Sequence, residues 1–292
     1  DRMTPAGLRI PRVTGARTHI APVISYPMED SYYFIKPSLK LDYTRYSLEN
    51  HRKDINSLQR SLPLLSLDSG LIFERIASVS RNWLQTFEPR LFLLYVPFED
   101  QADFPLFDSA LQAENYASLF SNNRFSGADR VGDSRQLSLG LTTRLLDKSS
   151  REFFSASIGQ AFYAADREVS IDKREKSSLM TVVNIKPVPS WNIQLANVYD
   201  QLEKESRQTD IAIRHQHAKQ VFNLEYHLRQ DELEQTTLSM VYPLSVSWTA
   251  FVKQQHSIKH DKPVQNLFGV AYESCCWGFK LLYDEYSDDA FE

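Results

Sequence analysis

Phe222-Asn223-Leu224-Glu225-Tyr226-His227-Leu228-Arg229 alternates apolar and polar side chains without a break. A period of two is the signature of a β-strand with one apolar and one polar face. The same pattern returns along the chain. Leu137, Leu139 and Leu141 interleave with Gln136, Ser138, Gly140 and Thr142, and Trp191, Ile193 and Leu195 with Asn192 and Gln194. Leu244, Val246, Trp248, Ala250 and Val252 interleave with Ser245, Ser247, Thr249 and Lys253, Phe251 being the exception. Trp277, Phe279, Leu281 and Tyr283 do so with Gly278, Lys280 and Asp284. The pattern predicts strands near 135–146, 151–164, 177–187, 190–202, 207–217, 220–230, 234–242, 244–255, 265–274 and 276–286. Longer extended segments precede them at 18–26, 31–46, 62–78 and 82–96.

Turn signals separate the strands: Asp147-Lys148-Ser149-Ser150, Pro187-Val188-Pro189-Ser190, Gln230-Asp231-Glu232 and Tyr242-Pro243. Short joints alternate with longer polar ones, as at Arg167–Lys176 and Ser257–Pro263, which is the asymmetry of an up-and-down membrane barrel. A soluble β-sandwich also alternates in this way, so periodicity alone leaves both architectures open. Residues 97–134 break the rhythm with Asp, Asn, Ser and aromatics, including Phe98, Phe104, Phe107, Tyr116, Phe120 and Phe125. A connection this long is functional or disordered as a rule. Its aromatics predict an ordered, packed loop with a short helix around Ser109–Phe120.

A net charge of −4 with no basic block argues against nucleic acid as a partner. No run of apolar residues is long enough for a transmembrane helix, and no secretory signal opens the chain; neither observation bears on a barrel, whose strands carry a weak hydropathy signal. Only 9 glycines in 292 residues count mildly against a simple porin. No catalytic constellation emerges. Glu203/Glu205 and Asp284/Glu285 are carboxylate pairs of the kind glycosidases use, but they sit at strand ends among other charges. No Gly-x-Ser-x-Gly elbow is present. His215, His217 and His227 lack a companion ligand at metal-site spacing, so neither a metal nor another cofactor is expected.

Cys275 and Cys276 are the only cysteines. Neighbouring cysteines fit poorly into one disulfide, whose geometry wants Cα atoms ~4.4–6.8 Å apart. Two thiols with distant partners, in a chain that is a piece of a longer protein, are one reading; a free pair is the other. Placed between two alternating segments, they are expected at a tight strand–turn–strand junction with their thiols pointing apart.

The run Thr86-Phe87-Glu88-Pro89-Arg90-Leu91-Phe92-Leu93-Leu94-Tyr95-Val96-Pro97-Phe98-Glu99-Asp100-Gln101 resembles the EPR…YLYVPYRDQ block of the LPS-assembly family LptD. Phe107-Asp108-Ser109-Ala110-Leu111 is similar to that family's YDSSL. Tyr116-Ala117-Ser118-Leu119-Phe120 followed by Gly127-Ala128-Asp129-Arg130 is similar to its YSGLF…GLDR. Thr142–Asp147, Ser157–Gln160 and Ser274-Cys275-Cys276-Trp277 resemble its TSRIYD, SVGQ and SSCCY. These blocks cover about 60–286 in order.

The resemblance implies an all-β fold, an antiparallel up-and-down transmembrane β-barrel in the outer membrane of a Gram-negative bacterium. Residues 1–292 would be part of one large barrel domain, open or incompletely closed, with 97–134 as a long extracellular loop. The family's N-terminal periplasmic jelly-roll would lie outside this chain. The implied function is insertion of lipopolysaccharide into the outer leaflet. The implied partners are lipopolysaccharide, the plug lipoprotein LptE, periplasmic LPS-bridge proteins acting through the jelly-roll, and outer-membrane lipid. Cys275 and Cys276 would pair with cysteines of the periplasmic domain. The lateral gate, where a barrel's first and last strands meet, would lie outside this chain. In so wide a barrel the lumen is wet or plugged. Ser138, Thr142, Asn192, Gln194, Asn223, Glu225, Ser245, Ser247 and Thr249 would then face the plug or the sugar of the substrate. A general porin or adhesin barrel, and a soluble carbohydrate-binding sandwich, are the competing readings.

Overall fold

The computed structural model describes residues 13–50, 55–79, 82–170 and 172–287. The long elements among them are all strands. They are β1 Thr14–Ile20, β2 Val23–Ser25, β3 Met28–Asp30, β4 Tyr33–Glu49, β5 Ser57–Leu71, β6 Phe73–Ser78, β7 Trp83–Val96, β8 Ser134–Leu146 and β9 Glu152–Tyr163. There follow β10 Leu179–Ile185, β11 Trp191–Asp200, β12 Glu205–His217, β13 Gln220–Arg229, β14 Leu233–Pro243, β15 Trp248–Ser257, β16 Lys262–Glu273 and β17 Gly278–Tyr286. They join in one antiparallel up-and-down sheet that hydrogen bonds do not close, the arrangement of a partial β-barrel.

Interruptions have local causes. β1, β2 and β3 all pair with β4 and form one course, broken beside Pro22 and Pro27, which offer no N–H to a ladder. β5 and β6 likewise share β7. From β9 onward each strand pairs with the next.

The chain divides into two compact units: Asp1–Ile72, Pro89–Gly140 and Gln160–Ser177, then Phe73–Glu88, Leu141–Gly159 and Ser178–Glu292. The first holds a dry core. Leu62, Leu64, Phe92, Leu94, Val96 and Val131 are buried together, with Phe120 packed against them. This core explains why Leu91–Val96 is apolar at every position instead of alternating. One face of β5 and β7 is covered by the 97–133 segment, so both faces there favour apolar side chains. Each such side chain contributes about 1.5–3 kcal/mol by leaving water.

In the second unit the alternation of the sequence becomes geometry. The register Asn192↔Arg214↔Asn223↔Ser239↔Lys253 runs across β11–β15. The neighbouring row Trp191↔His215↔Phe222↔Met240↔Val252 occupies the opposite face. One face is polar and the other apolar across these strands, because adjacent residues of a strand point to opposite sides. Two expectations fail locally. Residues 109–120 are not a helix; only Tyr116–Phe120 forms a 3-10 turn, capped by the Asn115 side chain. Before it, Leu111 bridges Phe125, and the Gln112 N–H donates to the Arg124 carbonyl at 2.9 Å, so the backbone is used in a small pairing. And 244–255 is not one strand, since β15 begins only at Trp248.

Candidate functional site

The 97–133 segment is held against β4, β5 and β8 by a buried ionic network. Arg60, 1% exposed, projects from β5 on the face that also carries Asp42 and Thr44 of β4. Its Nη1 donates to Gln101 Oε1 at 2.7 Å and to the Asp129 carbonyl at 2.8 Å. Its Nη2 donates to Asp42 Oδ1 at 2.9 Å and to the Ala128 carbonyl at 3.0 Å. The Gln101 amide then clasps Val131 through both of its backbone groups, at 2.7 and 3.0 Å.

Asp129 is the second hub. Its Oδ1 accepts from Tyr46 OH and Arg17 Nη1, both at 2.6 Å. Its Oδ2 accepts from the backbone N–H groups of Phe107 and Asp108 at 2.6 and 2.7 Å. Gly127 makes this turn possible: its φ is +66°, and a Cβ there would stand 2.4 Å from the Asp108 carbonyl oxygen. Aromatic packing adds to the ionic anchor, with Phe104 edge-on to Tyr46 at 5.7 Å and Phe120 against Phe92 at 6.3 Å. The 3-10 turn rests on β8, where Gln136 Nε2 and Ser138 Oγ both donate to the Leu119 carbonyl. A Cβ on Gly140 would meet the tips of Phe120 and Tyr116.

The connection between β9 and β10 is tied to the same segment. Asp133 accepts from the N–H groups of Glu168 and Val169 at 2.7 and 3.0 Å, and Arg174 reaches Glu114 at 3.1 Å. Two carboxyls here respond to acid. The hydrogen bond from Arg17, reinforced by the Ala128 N–H, holds Asp108 well below the usual carboxylate range. Burial works to raise Asp172, but Arg174 and Arg167 outweigh it and bring it to about 2. A folded-state value below the unfolded one, near ~3.9, means stability that is complete above about pH 5 and withdrawn as pH falls toward 2. Pepsin cleavage within 97–133 and 164–178, normalised to a denatured control, is therefore expected to rise steeply between pH 4 and pH 2. A flat profile would contradict the clamp.

The candidate residues of the polar face fall into two groups. Ser138 is fully buried under the loop, and Thr142 Oγ1 lies 2.9 Å from Ser157 Oγ. Asn192, Gln194, Asn223, Glu225 and Thr249 share one face by register, beside Arg214, Asp210, His227, Lys253 and Gln255. Ser245 and Ser247 do not join them. They lie in the turn between β14 and β15, where Ser245 Oγ accepts from the N–H groups of Ser247 and Trp248 at 3.3 and 3.1 Å. The histidines separate too. His215 packs tilted against Trp191, with ring centroids 4.6 Å apart, on the apolar face, whereas His227 bonds Asp210 at 2.7 Å on the polar one. Asp284 and Glu285 point to opposite faces of β17 and cannot converge on one bond. Glu203 lies 3.6 Å from Arg207 in a strand-end ion pair.

Cys275 and Cys276 form the tip of the β16–β17 hairpin, exposed and unbonded. The Ser274 N–H donates to the Trp277 carbonyl at 2.9 Å, closing the turn just beneath them. Their Sγ atoms are 3.1 Å apart, so the thiols lie side by side rather than pointing away from each other. Following the antiparallel reversals back from this tip reaches the short connections at 244–247, 218–219, 186–190 and 147–151 in turn. No connection at this end of β8–β17 exceeds five residues, whereas the long connection 164–178 falls at the other end of its strands. The loop 97–133 leaves β8 from its other end.

Over residues 3–248 the chain matches the family described as LPS transport system D, LptD. The chain belongs to the LptD family. It is 36% identical over 288 residues to the LPS-assembly protein LptD of Nitrosococcus oceani, a match covering 94% of this chain and 39% of that protein. To the protein of that name from Pseudomonas putida it is 32% identical over 347 residues, 95% of this chain and 37% of the relative. To that of Hahella chejuensis it is 31% identical over 301 residues, covering 99% and 37%. The chain therefore spans less than two-fifths of the length of these curated relatives. LptD proteins reside in the outer membrane of Gram-negative bacteria, and the all-β sheet fits the wall of an outer-membrane barrel. The match disfavours the porin, adhesin and sandwich readings.

Within this LptD sheet, Arg60, Asp42, Arg17 and Asp129 were not legible as a site. The available signal was a charge at an inner-row position of long strands, Asp42 and Arg60, opposite a connection rich in Asp. Gln101 and Asp129 fall inside two of the blocks that carry the family resemblance.

Proposed function

We propose that this chain is a wall segment of an LptD translocon, guiding lipopolysaccharide to the outer leaflet without a catalytic step of its own. The observation that carries the reading is the two-faced sheet of β10–β17. Its polar face offers amides, hydroxyls and mixed charges to a glycan or a plug, and its apolar face suits lipid. Ser138 and Thr142 are shielded by the loop and by Ser157. Asn192, Gln194, Asn223, Glu225 and Thr249 are the lumen residues that meet the sugar portion or the LptE plug. The strand ends that carry the long connections are extracellular and the opposite ends periplasmic, as in other outer-membrane barrels. Loop 97–133 then covers the Arg60 and Ser138 faces of β5 and β8 at the extracellular end. Cys275 and Cys276, on the periplasmic side, bond to cysteines of the periplasmic domain, through which the LPS-bridge proteins deliver substrate. An oxidising compartment sustains such bonds.

Depletion of the full-length protein in cells tests this reading. Newly made lipopolysaccharide is expected to stop reaching the surface, measured by an impermeant antibody, while uptake of small solutes persists. Normal surface lipopolysaccharide with reduced solute uptake would instead indicate a porin.

A further inference from the structure

On the face opposite the loop, the first unit carries an open groove of about 900 Å3. Ile24, Leu39, Leu65, Leu93, Leu137 and Phe162 line it, drawn from β2, β4, β5, β7, β8 and β9. The register Leu39↔Leu65↔Tyr95 places these apolar side chains on one face. A volume of this size is at the upper end for small-molecule sites, ~300–1,000 Å3. Arg135 stands on its wall. The side chain is exposed, and its guanidinium carbon lies 5.9 Å from the Tyr95 ring centroid. Its backbone is pinned, its carbonyl accepting the Ala164 N–H at 2.9 Å. Among the described residues no carboxylate lies within ion-pair distance of it.

An unpaired arginine on a lipid-facing wall is costly at mid-membrane and tolerable at the interface, where an anion can meet it. Arg135 is the second residue of β8, at the end from which loop 97–133 departs. Resting on the orientation proposed above, that end is the extracellular one. We propose that this groove seats one acyl chain of lipopolysaccharide from the outside of the barrel, with Arg135 bonding a headgroup phosphate. The apolar channel supplies the chain's contact and the guanidinium supplies a forked donor matched to phosphate. This site lies on the outer wall and is separate from the lumen. It would hold a lipid that has already arrived in the leaflet.

The test uses full-length protein in cells, with a photoreactive p-benzoyl-phenylalanine replacing Leu93 in the groove. Leu195, similarly exposed on the apolar face of β11, serves as the reference position. Lipopolysaccharide adducts at position 93 are expected to exceed those at 195 several-fold. Arg135→Gln is expected to lower them about tenfold, the effect of one lost charge-assisted hydrogen bond, and Arg135→Lys to restore part of the signal. Heat-modifiable migration of each variant confirms a folded barrel. Equal adducts at both positions, or no response to Arg135→Gln, would overturn the site and leave only bulk lipid around the wall. Adducts at position 93 that carry glycerophospholipid and respond to Arg135→Gln would overturn lipopolysaccharide as its occupant. Lipopolysaccharide that fails to reach the surface only on depletion, with a negative crosslink, would sink this site while sparing the translocon reading.

Discussion

Arg60→Ala is expected to release the 97–133 segment from the sheet. The substitution takes one cation from the Asp42 carboxylate, which is 2% exposed and keeps Lys40 Nζ at 3.3 Å, and removes the donor to the Ala128 and Asp129 carbonyls. Breaking a buried pair costs about 3–5 kcal/mol where the charge left behind is uncompensated, and less here because Lys40 still faces Asp42. Hydrogen exchange of the full-length protein reads the effect at the Phe107 and Asp108 amides, which donate to Asp129. Their protection is expected to fall roughly tenfold or more while β12–β16 remain protected. Arg60→Lys recovers only part of it, since an ammonium cannot reproduce a fork that spans Gln101, Asp42 and two carbonyls. Replacing both partners, Arg60→Met with Asp42→Leu, is expected to be milder than Arg60→Ala alone. Unchanged protection in Arg60→Ala would show that the aromatics hold the loop by themselves.

The second large effect concerns the hairpin tip. Cys275→Ser with Cys276→Ser is expected to leave β16 and β17 intact, since neither thiol is buried or bonded within the sheet. What is lost is the proposed pair of bonds to the periplasmic domain, each worth ~2–4 kcal/mol through restriction of the unfolded chain. Non-reducing electrophoresis of the full-length protein should show the oxidised form vanish in the double variant and persist in part in either single one. Surface lipopolysaccharide should fall sharply only in the double variant. Mass spectrometry that finds both thiols free, or bonded to each other, in the wild-type protein would contradict this arrangement.

The strands were legible because a half-buried strand writes its two faces directly into the sequence. Phe222–Arg229 and Leu137–Thr142 read correctly residue by residue. The reading failed where the local pattern and the backbone disagree. Leu244-Ser245-Val246-Ser247 alternates like a strand, yet Pro243 ends the ladder and Ser245 captures two N–H groups, leaving Val246 99% exposed. Residues 109–115 carry helix-compatible side chains, but their backbone bonds go to Arg124 and Ser126 instead. The ionic network was hidden for a different reason. Arg60 and Asp129 are 69 positions apart, and no period links them. A charge on the inner row of a barrel strand reads equally well as wet lumen or as an anchor, and only the folded loop decides between them. The shared side of the two thiols likewise depends on the turn's conformation, which the Cys-Cys spacing does not specify.

The central claim is that the polar face borders water and the apolar face borders lipid. Single cysteines placed in turn at positions 222–228 of the full-length protein test it directly in native membranes, with Cys275 and Cys276 left in place. A water-soluble maleimide should label 223, 225 and 227, and a lipid-dissolved quencher should reach probes at 222, 224, 226 and 228. An alternation of that phase is the predicted result. Shielding of 222, 224, 226 and 228 from both reagents would mean that the apolar face is packed in a dry core, which contradicts a membrane barrel.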